Sequence, residues 1–179
     1  MPTIPGTIPD SASRTSLWQF SLQVYRRPGI AQACVALQDA HGVDVNLLLC
    51  LLWLAADRRR LSTPQIELLD KGVAHWRQAA VIPLRRLRRL LKGGVSLGDA
   101  PAVEGFRVRV KSVELEAERL QQQELQALAS SMRSVEEDAS SASAAAGSIA
   151  AYQSLLGCEF ERDLVAILLA SMPDEHRTT

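Results

Sequence analysis

Apolar residues recur every third or fourth position along most of this chain, and in one stretch they hardly alternate with polar ones at all. In VNLLLCLLWLAA, from Val45 to Ala56, Asn46 is the only residue that is not apolar. A helix that is apolar on every side belongs in the middle of a bundle or in a membrane. The run is about half the roughly 20 residues that a bilayer crossing needs, and Arg58, Arg59 and Arg60 follow at once. The pattern therefore predicts the buried central helix of a helical bundle. Asp44 is placed to cap it, Val43 and Leu48 sit at the two positions of a hydrophobic staple, and the arginines suit its negative end.

The flanking segments read as amphipathic helices. Ser16 caps SLWQFSLQVYRR, with Trp18, Leu22 and Tyr25 on one face, until Pro28 and Gly29 break it. Pro28 suits the first turn of the next helix, which carries Ile30, Cys34 and Leu37 inward and stops at Gly42. Thr63-Pro64 opens a long stripe: Ile66, Leu69, Val73, Trp76, Ala80, Leu84, Leu87 and Leu91, in steps of three and four. The stripe keeps its phase across Pro83, which predicts one helix kinked there and ended by Gly93-Gly94.

Asp99 caps a second long helix, whose stripe includes Val103, Phe106, Val110, Val113, Ala117 and Leu120. It continues through Leu125, Leu128, Met132 and Val135 after a slip at Glu124, and the other faces carry charge and glutamine. Residues 138–148, DASSASAAAGS, read as an Ala/Ser-rich linker or frayed helix end, and residues 149–172 as a C-terminal helix packing on the bundle. No strand pattern appears. The expectation is an all-α bundle of about six helices, with a disordered arm over residues 1–14 and the helical domain over 15–137.

Composition narrows the function classes. The 20 basic and 20 acidic residues cancel, so any electrostatic role must come from local clustering. Cys34, Cys50 and Cys158 show no CxxC and sit among apolar neighbours, as buried thiols do in a reducing compartment. The first residues offer neither the basic start nor the apolar core of a secretory signal, so the expected location is the cytoplasm, with no membrane span.

The segment Leu17–Ala55, LWQFSLQVYRRPGIAQACVALQDAHGVDVNLLLCLLWLA, resembles an uncharacterised bacterial family, domain of unknown function 2390. His75-Trp76, PLRRLRRLLK at Pro83–Lys92 and RVKSVELEAERLQ at Arg109–Gln121 extend the resemblance over residues 17–121. It implies a small cytoplasmic helical domain and carries no activity, cofactor or partner with it. The Ala/Ser-rich stretch near Ser140 lies outside it.

The usual chemical signatures of helical enzymes are missing: there is no ExxH pair, HExxH, acidic DDxxD-like run, P-loop or GxGxxG. His41, His75 and His176 show no ligand spacing, so neither a catalytic centre nor a metal or cofactor is expected. Asp39, His41 and Asp44 form a polar cluster suited to a metal or to acid–base work, but capping accounts for Asp44. Asn46, alone among apolar neighbours, reads as a structural hydrogen-bond partner before a ligand contact. Trp18, Tyr25, Trp53 and Trp76 read as core.

The densest functional candidate is the basic helix over residues 84–92. Arg85, Arg86, Arg88, Arg89 and Lys92, with Arg77 nearby, present cations that suit phosphates or an acidic protein. The opposing account has Glu114, Glu116 and Glu118, or Glu136, Glu137 and Asp138, neutralise them internally. The expected function is a non-enzymatic interaction or adaptor module that docks a protein partner or self-associates. An RNA- or DNA-associated accessory role through the basic helix is the alternative, and an enzyme without recognisable motif the third.

Overall fold

The computed structural model describes residues 15–93, 100–135 and 140–173. The arm over residues 1–14, the Asp99 cap, the acids Glu136, Glu137 and Asp138, and His176 lie outside them. Among the described residues the protein is all-α, with no strand. Its helices are α1 (Leu17–Tyr25), α2 (Ile30–His41), α3 (Val45–Ala56), α4 (Thr63–Trp76), α5 (Ile82–Lys92), α6 (Ala100–Ser130), α7 (Ser141–Leu156) and α8 (Arg162–Ala170). No helix of the described residues is long and apolar enough to cross a membrane.

Helix α3 is the hub. Every residue from Val45 to Ala55 is buried, and α1, α2, α6 and α7 pack around it. Asp44 caps it by accepting from the backbone N–H groups of Asn46 (2.9 Å) and Leu47 (3.4 Å). At the other end the Arg59 guanidinium leaves α3 altogether. It donates to the carbonyls of Ala129 (3.0 Å) and Met132 (2.5 Å), and so clamps the last turn of α6, where free carbonyls need donors.

Four local expectations change. Ser62, not Thr63, is the N-cap of α4, and Gln65 reaches back to accept from its backbone N–H at 2.9 Å. Pro28 precedes α2, whose N-cap is Gly29 at φ +81°. Residues 141–148, expected as linker, form the first half of α7, capped by Ser140. Alanine is the best helix former, and here small size also allows contact: Ala144, Ala145 and Ser148 are buried where α7 packs on α3 and α4. A Cβ on Gly147 would stand 2.2 Å from Cδ of Arg60, so that side chain crosses α7 only because this position is glycine. The expected C-terminal helix is two. Gly157, left-handed at φ +66°, ends α7, and α8 turns back onto α2 and α7.

The largest correction concerns phase. Helices α4 and α5 are one rod, joined through a π-helical segment over Arg77–Val81 in which the N–H of Ile82 reaches the carbonyl of Arg77. Pro83 cannot donate to Ala79 and its ring crowds that turn, and a π turn admits one extra residue beside such a site. The extra residue rotates everything after it. Up to Val73 the buried positions are those expected, Ile66, Leu69 and Val73. Beyond it the inward set moves by one, from Trp76, Ala80, Leu84 and Leu87 to Arg77, Val81, Arg85 and Arg88. Val81 is buried and these arginines are partly buried, while Trp76 and Leu87 are exposed.

Helix α6 keeps Val110, Ala117 and Leu125 of its expected stripe inward and moves its other buried positions by one, from Val113, Leu120 and Leu128 to Glu114, Gln121 and Ala129. Glu114, Gln121 and Gln122 are buried beside Val110, Ala117, Leu125 and Ala129, whereas Phe106, Val113 and Leu120 face outward. In α1 the buried residues are Leu17, Ser21 and Val24, and Trp18, Leu22 and Tyr25 stand on the flank.

The three cysteines form no disulfide, with Cys34 and Cys50 fully buried and Cys158 half-buried. Burial pushes the Cys34 thiol up to about 12, against the pull of a hydrogen bond with Tyr25. Since thiolate is the nucleophile, iodoacetamide at pH 8 is expected to modify Cys158 alone in the native protein. Mass spectrometry before and after urea should show Cys34 and Cys50 labelled only on unfolding. Equal native labelling of all three would contradict this packing.

Candidate functional site: a polar cleft beneath the basic helix

Two polar systems result from the phase shift, and they share one wall. The first is buried at the start of α3. Asp44 Oδ2 accepts from Arg77 Nη1 (2.8 Å) and from Gln121 Nε2 (2.5 Å), and its backbone N–H donates to the Tyr152 hydroxyl at 3.0 Å. Arg77 also donates to Asp70 Oδ1 at 2.6 Å. Burial works against the Arg77 charge, but its hydrogen bonds to Asp70 and Asp44 outweigh it and hold its pKa above the ordinary value. Burial raises Tyr152, with the Asp44 charge adding to it.

The network continues from Gln121. Asn46 Nδ2 donates to Gln121 Oε1 (3.3 Å), and Gln122 Nε2 donates to Asn46 Oδ1 (2.9 Å). Asn46 is thus the middle member of a relay of side-chain amides.

The second system lies between α5 and α6. Arg85 donates to Glu118 at 2.6 Å and lies 3.4 Å from Glu114. Arg88 makes a two-pronged bond to Glu114, with Nε to one oxygen and Nη2 to the other at 3.1 Å. This hydrogen bond raises the Arg88 pKa, and bidentate pairing of this kind is the strong form of the interaction. Burial raises the Glu118 carboxyl above its ordinary value, with Arg85 pulling the other way. Arg85 also reaches Gln38, and Arg89 reaches Asp39 at 3.1 Å, which ties α5 to α2. The Asp39 carboxyl is lowered by that hydrogen bond.

Of the six cations singled out from the sequence, Arg77, Arg85, Arg88 and Arg89 are thus paired with acids of this chain. Arg86 and Lys92 are exposed and have no ion-pair partner among the described residues. The polar cluster before α3 does not converge. Asp39 meets Arg89, His41 lies 3.1 Å from Glu161, and Asp44 turns inward. No group of three His, Cys, Asp or Glu is placed to hold a metal among the described residues.

Between these systems lies a cleft of about 350 Å³. Its floor is the first turn of α3, at Val45, Asn46 and Leu49. One wall is α1, with Trp18, Ser21, Leu22 and Tyr25, and the other is α6, with Lys111, Glu114, Leu115, Glu118 and Gln122. Val35 and Gln38 of α2 and the arginines of α5 close the remaining sides. Residues expected in the core, Trp18 and Tyr25, therefore line a cavity. Ser21 and Lys111 carried no signal of their own in the sequence. The polar residues of α6 at spacings of seven and eight, Glu114, Gln121 and Gln122, are the trace that marked an inward polar face.

The model of a family described as a protein of unknown function, DUF2390, matches residues 16–125. That span contains α1 to α5 and the cleft-lining part of α6. No curated protein and no solved structure matches the chain.

Proposed function

The chain belongs to the DUF2390 family, and we propose that it is a non-enzymatic helical docking module of the bacterial cytoplasm that captures an acidic amphipathic helix of another protein. The observation that carries this reading is the α5–α6 hairpin. Helix α6 is 31 residues long, about 46 Å at the α-helical rise, and only its second half packs on the core around α3. Helix α5 has no fully buried residue and packs chiefly on α6.

Along the outer stripe of α6, Phe106, Val113 and Leu120 recur every seven residues and all are exposed. On α5, Leu90 is 55% and Leu87 38% exposed. An apolar stripe of this kind on a projecting hairpin suits the helix-in-groove mode of recognition. Charge selects the occupant. Arg86, Lys92 and Lys111 have no ion-pair partner among the described residues, and Arg109 lies over the Phe106 ring at 5.8 Å. The acids near them are already taken: Glu104 pairs with Arg107, and Glu114 and Glu118 face inward.

Nucleic acid would use the same cations, but most of the basic helix is spent internally, which leaves that alternative with less support. The test is affinity capture from nuclease-treated bacterial lysate, followed by light scattering of the native chain with the purified captured protein. Leu90→Glu combined with Phe106→Glu changes only exposed positions and should abolish a defined complex that survives nuclease. Capture unaffected by the double variant overturns the proposal. So does salt-sensitive co-elution with RNA in place of protein.

A further inference from the structure

The amide relay has a direction, and it ends in the cleft. Asp44 is held by Arg77 and, as a carboxylate, only accepts. Gln121 must therefore turn its Nε2 toward Asp44, which points its Oε1 at Asn46. Asn46 must donate to that oxygen, so its own carbonyl faces Gln122 and receives Nε2. Each amide is thus oriented by the one before it, and the remaining atom of the last, Gln122 Oε1, is left as an unpaired acceptor on a residue that lines the cleft. It is buried and has no hydrogen-bond partner among the described residues, and the same holds for the Ser21 hydroxyl. Both residues line the cleft, at 2% and 4% exposure. Unpaired buried polar atoms are rare and costly, and two of them in one cavity mark a place where something binds.

From this geometry we infer that the cleft binds a small aromatic monocarboxylate carrying an N–H or O–H donor. The donor is required by Gln122 Oε1, which accepts only, and Ser21 adds a partner of either polarity. The aromatic body is set by the walls: Trp18 and Tyr25 flank the cavity, and Leu22, Val35 and Leu115 leave apolar surface exposed at its edge. The volume suits a ligand at the small end of ordinary binding sites. The single negative charge follows from a count of the lining. Arg85, Arg88 and Arg89 are matched by Glu118, Glu114 and Asp39. That leaves Lys111 as the cation of the lining without an ion-pair partner among the described residues. Lys111 is common to this site and to the docking surface, but the cleft lining includes neither Leu90 nor Phe106, so the Leu90→Glu, Phe106→Glu variant tests the docking reading without touching this one.

The experiment is an NMR titration of the full chain with indole-3-acetate and with 4-hydroxyphenylacetate. Each is compared with its neutral amide and with the analogue whose donor is methylated. The expected result is a saturable shift of the Gln122 side-chain amide and the Trp18 indole N–H. Affinity should fall about fivefold on methylation of the donor, the size of one net hydrogen bond, and by a similar factor in the amide. Lys111→Ala, at an exposed position, should erase the preference for carboxylate over amide. Ser21→Ala should weaken binding at least threefold while leaving thermal stability unchanged or raised, because it removes an unpaired buried hydroxyl. Neither probe shifting the cleft signals, shifts confined to other surfaces, or equal affinity for acid, amide and methylated analogue each overturns the inference.

Discussion

Replacing Asp44 by alanine is expected to lower the unfolding free energy by about 3–4 kcal/mol and the melting temperature by roughly 10 °C. Several losses coincide in that one substitution. The N–H groups of Asn46 and Leu47 lose their cap, Gln121 loses its acceptor, and Arg77 keeps only Asp70. Asp70 is the more exposed of the two carboxylates, so the pair that remains is the weaker one. Asp44→Asn separates the contributions, because asparagine caps as well as aspartate but opposes Arg77 with no charge. It should cost about half as much. Urea denaturation of the two variants checks this, and a loss below about 1 kcal/mol for the alanine would mean that the network contributes little.

Leu51→Ala should rank with it, at about 3–4 kcal/mol. Leu51 is fully buried in the one helix that is surrounded on all sides. The cost has a transfer part and a cavity part, and the cavity part is largest where neighbours cannot close in. Here α1, α6 and α7 are each held by bonds of their own: Leu17 N–H to Gln126, Arg59 to α6 and Leu61 N–H to Ser148. The same substitution at Leu90, more than half exposed on α5, should change stability by no more than about 0.5 kcal/mol. Matched denaturation curves with equal slopes test the contrast. A Leu51→Ala cost close to that of Leu90→Ala would show that the centre of the bundle refills.

Much of this architecture was legible in the sequence. The central helix was marked by composition and by caps at its ends, and these are local signals that packing does not override. The α2 core positions Ile30, Cys34 and Leu37 and the first part of α4 were readable for the same reason. Past Val73 the reading failed for a specific cause. Leucines at 84, 87 and 91 and arginines at 85 and 88 form two stripes one residue apart, and apolar periodicity favours the leucines. Only the π segment decides between them, and its signature is a single proline that also fits an ordinary kink. The error then passed to α6, whose inward face is set by what α5 presents. Trp18 was misplaced differently: an aromatic face toward a cavity and one toward a core look alike in sequence, and Tyr25 does both, packing against the core while lining the cleft. Residues 141–148 were misread because alanine and serine spell both a flexible spacer and a helix that packs closely.

The extra residue in the π turn has a consequence for how this family can drift. The identities of the side chains along α5 do not decide which of them meet Glu114 and Glu118. The number of residues between Val73 and Arg85 decides it. Point changes in that interval other than at Pro83 preserve the pairing, while loss of one residue would turn the leucines toward the acids and the arginines toward water. The boundary between a neutralised interior and a bare cationic surface is therefore written in chain length, and homologues of equal spacing should share it even where their sequences have diverged.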